Sequence, residues 1–152
     1  MFRKILVPTD GSALSEKAAK AAIQFAAATE AAIVTVAVAH QIPALSLPDS
    51  LGVVTMEDYE DAQDEISRQH ANKIKAMAEK EGVQCDVLIT RAENAYEEIL
   101  LSAKRKRCDL IWMASRARNG LQKFLLGSET QRVLSHTAIP VLVWKKESWN
   151  KL

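Results

Sequence analysis

Apolar residues fall along this chain in two alternating patterns, short unbroken runs and stripes at helical spacing. The first run is Ile5-Leu6-Val7, closed by Pro8, and Asp10-Gly11-Ser12 is turn chemistry. Ser12 or Ser15 then starts a helix to about Thr29, with Ala18, Ala19, Ala22, Ile23, Ala26 and Ala27 on one face. Side chains that small let a helix lie close to a sheet. Ile33 to Ala39 is apolar and β-branched without polar alternation, the pattern of a strand covered on both faces. Residues 41–55 carry Pro43, Pro48 and Gly52 and predict a long loop, a type that tends to be functional. Met56 to Glu81 predicts a long helix with Tyr59, Ile66, His70, Ile74 and Met77 as its inward stripe. Its start is acidic and its end basic, as the helix dipole favours, and Gly82 stops it. Val83 to Thr90, Asp109 to Met113 and Pro140 to Trp144 predict three more strands. Two further helices are predicted, Ala95 to about Lys106, with Ile99, Leu100 and Ala103 inward, and Ser128 to about Ser135.

The order is strand, helix, strand, long loop, and then helix and strand three times. Such alternation predicts an α/β protein with a parallel sheet, helices on both faces and right-handed crossovers. Ligands of such sheets bind beyond the carboxyl ends of the strands, where the strand order reverses. The loops after the first and fourth strands are therefore the ones to inspect.

Composition narrows the class. The 152 residues suit one domain, and 48% hydrophobic content argues against disorder. Lys plus Arg number 20 against 19 for Asp plus Glu, so no net field draws the chain to nucleic acid or an anionic membrane. Cys85 and Cys108 lie in no CxxC or Cys/His cluster and read as reduced, partly buried thiols. No signal-peptide core precedes Pro8 and no apolar run approaches a membrane span. A soluble, cytoplasmic protein is expected.

In the first loop, Asp10 is a short acceptor that could take hydrogen bonds from ribose hydroxyls or an adenine amino group. Taken alone, Asp10 and Ser12 do no more than satisfy a turn and a helix start. The loop after the fourth strand runs from Ala114 through Arg116, Arg118 and Lys123 to Gly127-Ser128. Ser128 and Gln131 have capping-box spacing, and the free N–H groups of such a helix start form an anion site. Taken alone, this too is an ordinary capped helix beside a solvated basic loop. His40, His70 and His136 share no metal spacing, and His70 on an apolar stripe reads as a packing residue. Lys104-Arg105-Lys106-Arg107 reads as a solvated helix end and Glu97-Glu98 as compensation of a helix start. No nucleophile and general base stand together in a known spacing, and no GxSxG, HExxH, GxxxxGK[ST] or GxGxxG occurs.

In combination these pieces resemble the universal stress protein family over nearly the whole chain. The resemblance rests on Lys4-Ile5-Leu6-Val7-Pro8-Thr9-Asp10-Gly11-Ser12, Glu97-Glu98-Ile99-Leu100 and Cys108-Asp109-Leu110-Ile111. It continues in Gly120-Leu121, Leu125-Leu126-Gly127-Ser128, Arg132 to His136 and Pro140 to Val143. It implies a Rossmann-like, five-stranded parallel sheet of order 3-2-1-4-5 and a homodimer through the last strand, residues 140–145. It places the domain at residues 1–146, with 147–152 as a short tail. One branch of that family binds ATP and carries Gly-x-x-Gly, nine residues, then Gly followed by Ser or Thr. Here the stretch is Ala114-Ser115-Arg116-Ala117, nine residues from Arg118 to Leu126, then Gly127-Ser128. Glycine permits positive φ and close approach of phosphate to backbone. An alanine forced into the left-handed region would cost roughly 1–2 kcal/mol, on the order of ten-fold in affinity.

Carried over by position, Asp10 would meet ribose or adenine and Val38 or Ala39 would line the adenine pocket, with Pro8, Thr9 and Met113 as further nucleotide-binding positions. Ser115, Ala117, Gly127, Ser128, Glu129 and Thr130 would face phosphate, with Arg116 and Arg118 supplying charge. The resemblance therefore implies a regulatory stress protein that binds ATP, AMP or another adenine nucleotide, with or without Mg²⁺, and has little or no turnover. Two other readings stand beside it, a dimeric interaction module that has lost its nucleotide and a slow ATPase.

Overall fold

The computed structural model describes residues 1–41, 56–115 and 126–145. Strands β1 (Lys4–Thr9), β2 (Ala32–His40), β3 (Cys85–Ala92), β4 (Leu110–Ser115) and β5 (Val141–Lys145) form one parallel sheet of order β3-β2-β1-β4-β5. Helices α1 (Ala13–Thr29), α2 (Met56–Lys80), α3 (Ala95–Arg105) and α4 (Ser128–His136) cover its two faces. The sheet and its order are those the sequence and the resemblance imply. Of the predicted loop 41–55 all but Gln41, together with the basic loop 116–123 and the tail 147–152, lies outside the described residues.

The two cores follow from strand alternation. Ile5, Val7, Ile33 and Trp112 point to one side, where Ala18, Ala19, Ala22 and Ala26 of α1 and Ile74 and Ala78 of α2 meet them. Leu6, Val34, Val36, Ile111 and Met113 point to the other, against Ile99 and Ala103 of α3 and Val133 of α4. The apolar run predicted for β2 is buried on both faces for this reason.

One predicted stripe is displaced. On α2 the buried positions are Ser67, Ala71, Ile74 and Ala78, while Ile66 is exposed. Small residues let α2 approach β2 and β3 closely, and the larger Ile66 is turned out of that seam. On α3 the third buried position is Ser102 rather than Leu100.

The strand ends are pinned at the bottom of the sheet. Asp109, just before β4, accepts the Arg3 and Lys4 N–H groups at 2.9 Å each and returns its own N–H to the Lys4 carbonyl. This explains an acidic residue at that point without any role in chemistry. At the other end, Pro8 does not stop β1, which runs on through Thr9. The Arg3 carbonyl accepts from Ala32 of β2, and the Lys4 carbonyl accepts from the β4 side. Even-numbered residues of β1 therefore turn their backbone groups toward β4. Pairing with β4 ends at Leu6↔Ile111, whereas pairing with β2 continues to Thr9↔Ala37. The N–H that Pro8 lacks falls where no ladder partner stands, so a central strand tolerates it.

Cys85 and Cys108 are free and buried, and burial pushes both thiols from 9.0 up to about 11. A raised thiol pKa favours the neutral form in the folded state. Its stabilisation is complete below the unfolded value and is lost as pH climbs from 9.0 toward about 11. Urea unfolding across that range should show wild type losing more stability than a Cys85→Ala/Cys108→Ala variant; parallel losses would show that the thiols do not contribute.

Candidate functional site

Where β1 and β4 part, their two following segments meet. The first is a turn held by short-range hydrogen bonds. Gly11 donates to Thr9 Oγ1 (3.1 Å), Ser12 donates to Asp10 Oδ1 (3.0 Å), and Ser12 Oγ caps α1 by accepting from Ser15 N–H (3.2 Å). Ser15 Oγ donates to the Ser12 carbonyl (2.9 Å) and lies 3.2 Å from Thr9 Oγ1. Of the two predicted caps, Ser12 performs the role and Ser15 is buried beneath it. Gly11 has φ +73°, and a Cβ built there would collide with the His70 ring of α2. His70 is thus the packing residue its position suggests, and what it packs on is the turn.

The second segment departs from its predicted chemistry. Gly127 is the N-cap of α4 and makes no side-chain cap, so Ser128 and Gln131 form no capping box. Gln131 donates instead to the Gly127 carbonyl (3.0 Å), and Gly127 N–H donates to Ser115 Oγ (3.2 Å). Ser115 is buried and ties the end of β4 to the start of α4. Glu129 ties a second helix to this start. Its Oε2 accepts the Tyr96 N–H at the start of α3 (3.0 Å), and its Oε1 lies 3.4 Å from Arg132. A carboxylate there stabilises both helix starts.

Between the segments lies a cleft of about 400 Å³. Pro8, Val36, Val38, Ile99 and Met113 give it an apolar floor, while Thr9, Asp10, Ser128, Glu129 and Thr130 give it a polar rim. Volume and lining suit a small organic ligand, for which roughly 300–1,000 Å³ is usual. Among the described residues, its charged lining consists of Asp10 and Glu129, with no Lys or Arg. Among the described residues, no three His, Cys, Asp or Glu side chains gather to hold a metal.

A model of the universal stress protein family matches residues 1–145. The chain belongs to the universal stress protein family. A universal stress protein of Methanocaldococcus jannaschii, MJ0531, is 35% identical over 146 residues, covering 96% of this chain and 84% of that one. The solved structure of M. jannaschii MJ0577 is 26% identical with a TM-score of 0.72, covering 97% of this chain and 98% of that one. The universal stress protein from Archaeoglobus fulgidus, solved in complex with dAMP, has a TM-score of 0.63 at 17% identity, covering 93% of this chain and 96% of that one. That last likeness concerns the fold alone.

Against this universal stress protein fold the carried-over positions sort as follows. Pro8, Thr9, Asp10, Val38, Met113, Gly127, Ser128, Glu129 and Thr130 line the cleft. Of Val38 and Ala39, Val38 lines the cleft and Ala39 is buried on the opposite face by strand alternation. Ser115 sits behind the wall rather than on it. Arg116, Ala117 and Arg118 lie outside the described residues. Ala114 lines the cleft and lies within β4, and it is not among the described residues with positive φ. The left-handed cost considered for alanine therefore does not arise at Ala114, and what it brings is a methyl group in the cleft. Leu14, Ser15, Val36, Ala95 and Ile99 line the cleft without being foreseen. Val36 was open to inference, two residues from Val38 on one strand face. Ala95 and Ile99 arrive through the crossover and leave no local signal.

Gly11 and Gly82 share a positive φ, +73° and +69°, but nothing stands within 4 Å of a Cβ at Gly82. Gly82→Ala should show the backbone cost alone, about 1–2 kcal/mol. Gly11→Ala should lower Tm further, and adding His70→Ala should restore the difference. Equal shifts for the two single variants in thermal unfolding would mean that the His70 ring yields freely.

Proposed function

We propose that this chain is a regulatory protein of the stress response that binds an adenine nucleotide and turns it over little or not at all. The observation that carries this is the cleft at the point where β1 and β4 separate. An apolar floor of Val36, Val38 and Met113 offers a slot for a flat base, and Asp10 stands at its rim as an acceptor for ribose or base donors. The start of α4 stands at the other side. A protein of the same fold has been solved with dAMP. Nucleotide fits this residue set by volume and by donor chemistry. Magnesium would enter with the phosphates, since the described residues gather no ligand cluster of their own. We place the domain at residues 1–146, with 147–152 appended, and the protein in the cytoplasm. Among the described residues no helix is long and apolar enough to cross a membrane.

The test is direct. Purified protein titrated with ATP, ADP and AMP, with and without Mg²⁺, should release heat and gain Tm. Silence at millimolar nucleotide would overturn the reading and favour the interaction module, for which the Ala114 methyl in the cleft is the motive. Phosphate release above that of a Gly127 variant would instead favour a slow ATPase.

We also propose a homodimer through β5. That strand is a sheet edge, and Val141, Leu142, Val143 and Trp144 are each only partly covered. Ile111 donates to the Pro140 carbonyl, so even-numbered residues of this strand face β4 and odd-numbered ones face outward. Val143→Pro removes an outward donor and spares the β4 ladder. Sedimentation should show a dimer in wild type and a folded monomer in this variant; a dimeric variant would move the interface elsewhere.

A further inference from the structure

We infer that His70 is a positioning residue for the cleft, its ring holding the turn from Thr9 to Ser12 in the shape that binds; this rests on the nucleotide reading of the same cleft. Among the described residues that line the cleft, Pro8, Thr9, Asp10 and Ser12 come from this segment and none comes from α2. Helix α2 packs on the other face of the sheet from Val36, Val38 and Met113, which floor the cleft. Gly11 is where the two sides meet. It stands between Asp10 and Ser12, has φ +73°, and has the His70 ring where its Cβ would be. The ring therefore bears directly on main chain, one residue from the cleft wall.

Such a contact matters because glycine adopts positive and negative φ with similar ease, so a turn hinged on it keeps other shapes open. The hydrogen bonds around the hinge tie the wall to it. Gly11 N–H donates to Thr9 Oγ1 at 3.1 Å and Ser12 N–H donates to Asp10 Oδ1 at 3.0 Å, so rotation at Gly11 carries Thr9 and Asp10 along. The Ser12 to Asp10 bond is exposed, where water competes for both groups, and alone it holds the turn weakly. The ring is fixed more firmly. Ser67, Ala71 and Ile74, all within about a turn of it on α2, are buried against the sheet. Lys73 reaches Glu16 of α1 at 2.6 Å. When the contact changes, the turn yields and α2 does not. A wall ordered before the ligand arrives spares the cost of ordering it on binding, so loosening the turn weakens every ligand that meets it.

The experiment compares wild type with His70→Ala, His70→Phe and Gly82→Ala, each well below its Tm. It measures the Kd for AMP by calorimetry and, without ligand, hydrogen exchange at the Gly11 and Ser12 amides. His70→Ala should weaken AMP at least about five-fold, the low end of coupling between separate sites, and speed exchange at both amides. His70→Phe puts a flat ring back over Gly11 and should return affinity to within about two-fold of wild type. Gly82→Ala lowers stability just past the far end of α2, where nothing meets a Cβ, and should leave affinity unchanged. Unchanged affinity or unchanged exchange in His70→Ala overturns the inference. So does an equal loss of affinity in Gly82→Ala, which would make affinity follow stability alone, and so does a failure of phenylalanine to restore it. All of these leave the nucleotide reading intact. Wild type that binds neither AMP nor ATP overturns the nucleotide reading itself, and exchange at Gly11 and Ser12 then decides by itself whether His70 holds the turn.

Discussion

A parallel sheet can bind a ligand at its edge only if two adjacent strands stop pairing while still carrying their loops upward. Here that separation falls between β1 and β4, after Leu6↔Ile111. Proline at position 8 removes a donor on the side facing β4, so extending that ladder would leave a gap in it. Meanwhile β1 keeps its partner β2 to Thr9, and β4 keeps its partner β5 to Ser115. Each strand is therefore anchored on its outer side and released on its inner side. The cleft, the Asp10 turn and the start of α4 all take their positions from this opening.

A cleft set this way needs its walls held firmly, and small side chains accomplish that. The alanine face of α1 and the Ser67, Ala71 and Ala78 positions of α2 bring both helices close to the sheet. Lys73 of α2 reaches Glu16 of α1 at 2.6 Å. That approach seats His70 on Gly11, whose positive φ turns the chain from β1 into α1. The turn is thus fixed from within by Thr9, Ser12 and Ser15 and from outside by α2. An acceptor such as Asp10 gains orientation from such a turn before any ligand arrives.

What the sequence disclosed depended on how local each signal was. The two-sided burial of β2 is written in its own residues, as is the alanine face of α1. The stripe on α2 was misplaced at Ile66 because hydrophobicity favoured the larger side chain, whereas close packing against the sheet selected its neighbour Ser67. Pro8 looked like a strand end because a ladder gap cannot be assigned to one side without knowing which strand lies there. The capping box at Ser128 failed for a similar reason. A buried hydroxyl from Ser115, twelve residues away, ties Gly127 to the end of β4. Spacing within the segment carries no trace of that partner. Glu129 lines the cleft as its position implies, and its carboxylate also holds the amide of Tyr96, 33 residues away, a contact that no local spacing announces.

Glu129 couples the stability of the fold to the electrostatics of the cleft. Its carboxylate fills an open donor of α3, offsets the dipole of α4 and sets a negative charge on the rim. Removing the side chain would relieve the rim only by uncapping α3, which typically costs about 1 kcal/mol for a lost cap. The two roles come apart only in a residue of the same reach that accepts a hydrogen bond without bearing charge. A site built for phosphate would leave its helix starts open and satisfy them with the ligand. Here one N–H of each start is met by a side chain, Tyr96 by Glu129 and Gly127 by Ser115, and the remaining N–H groups of α4 face the same end of the sheet as the cleft.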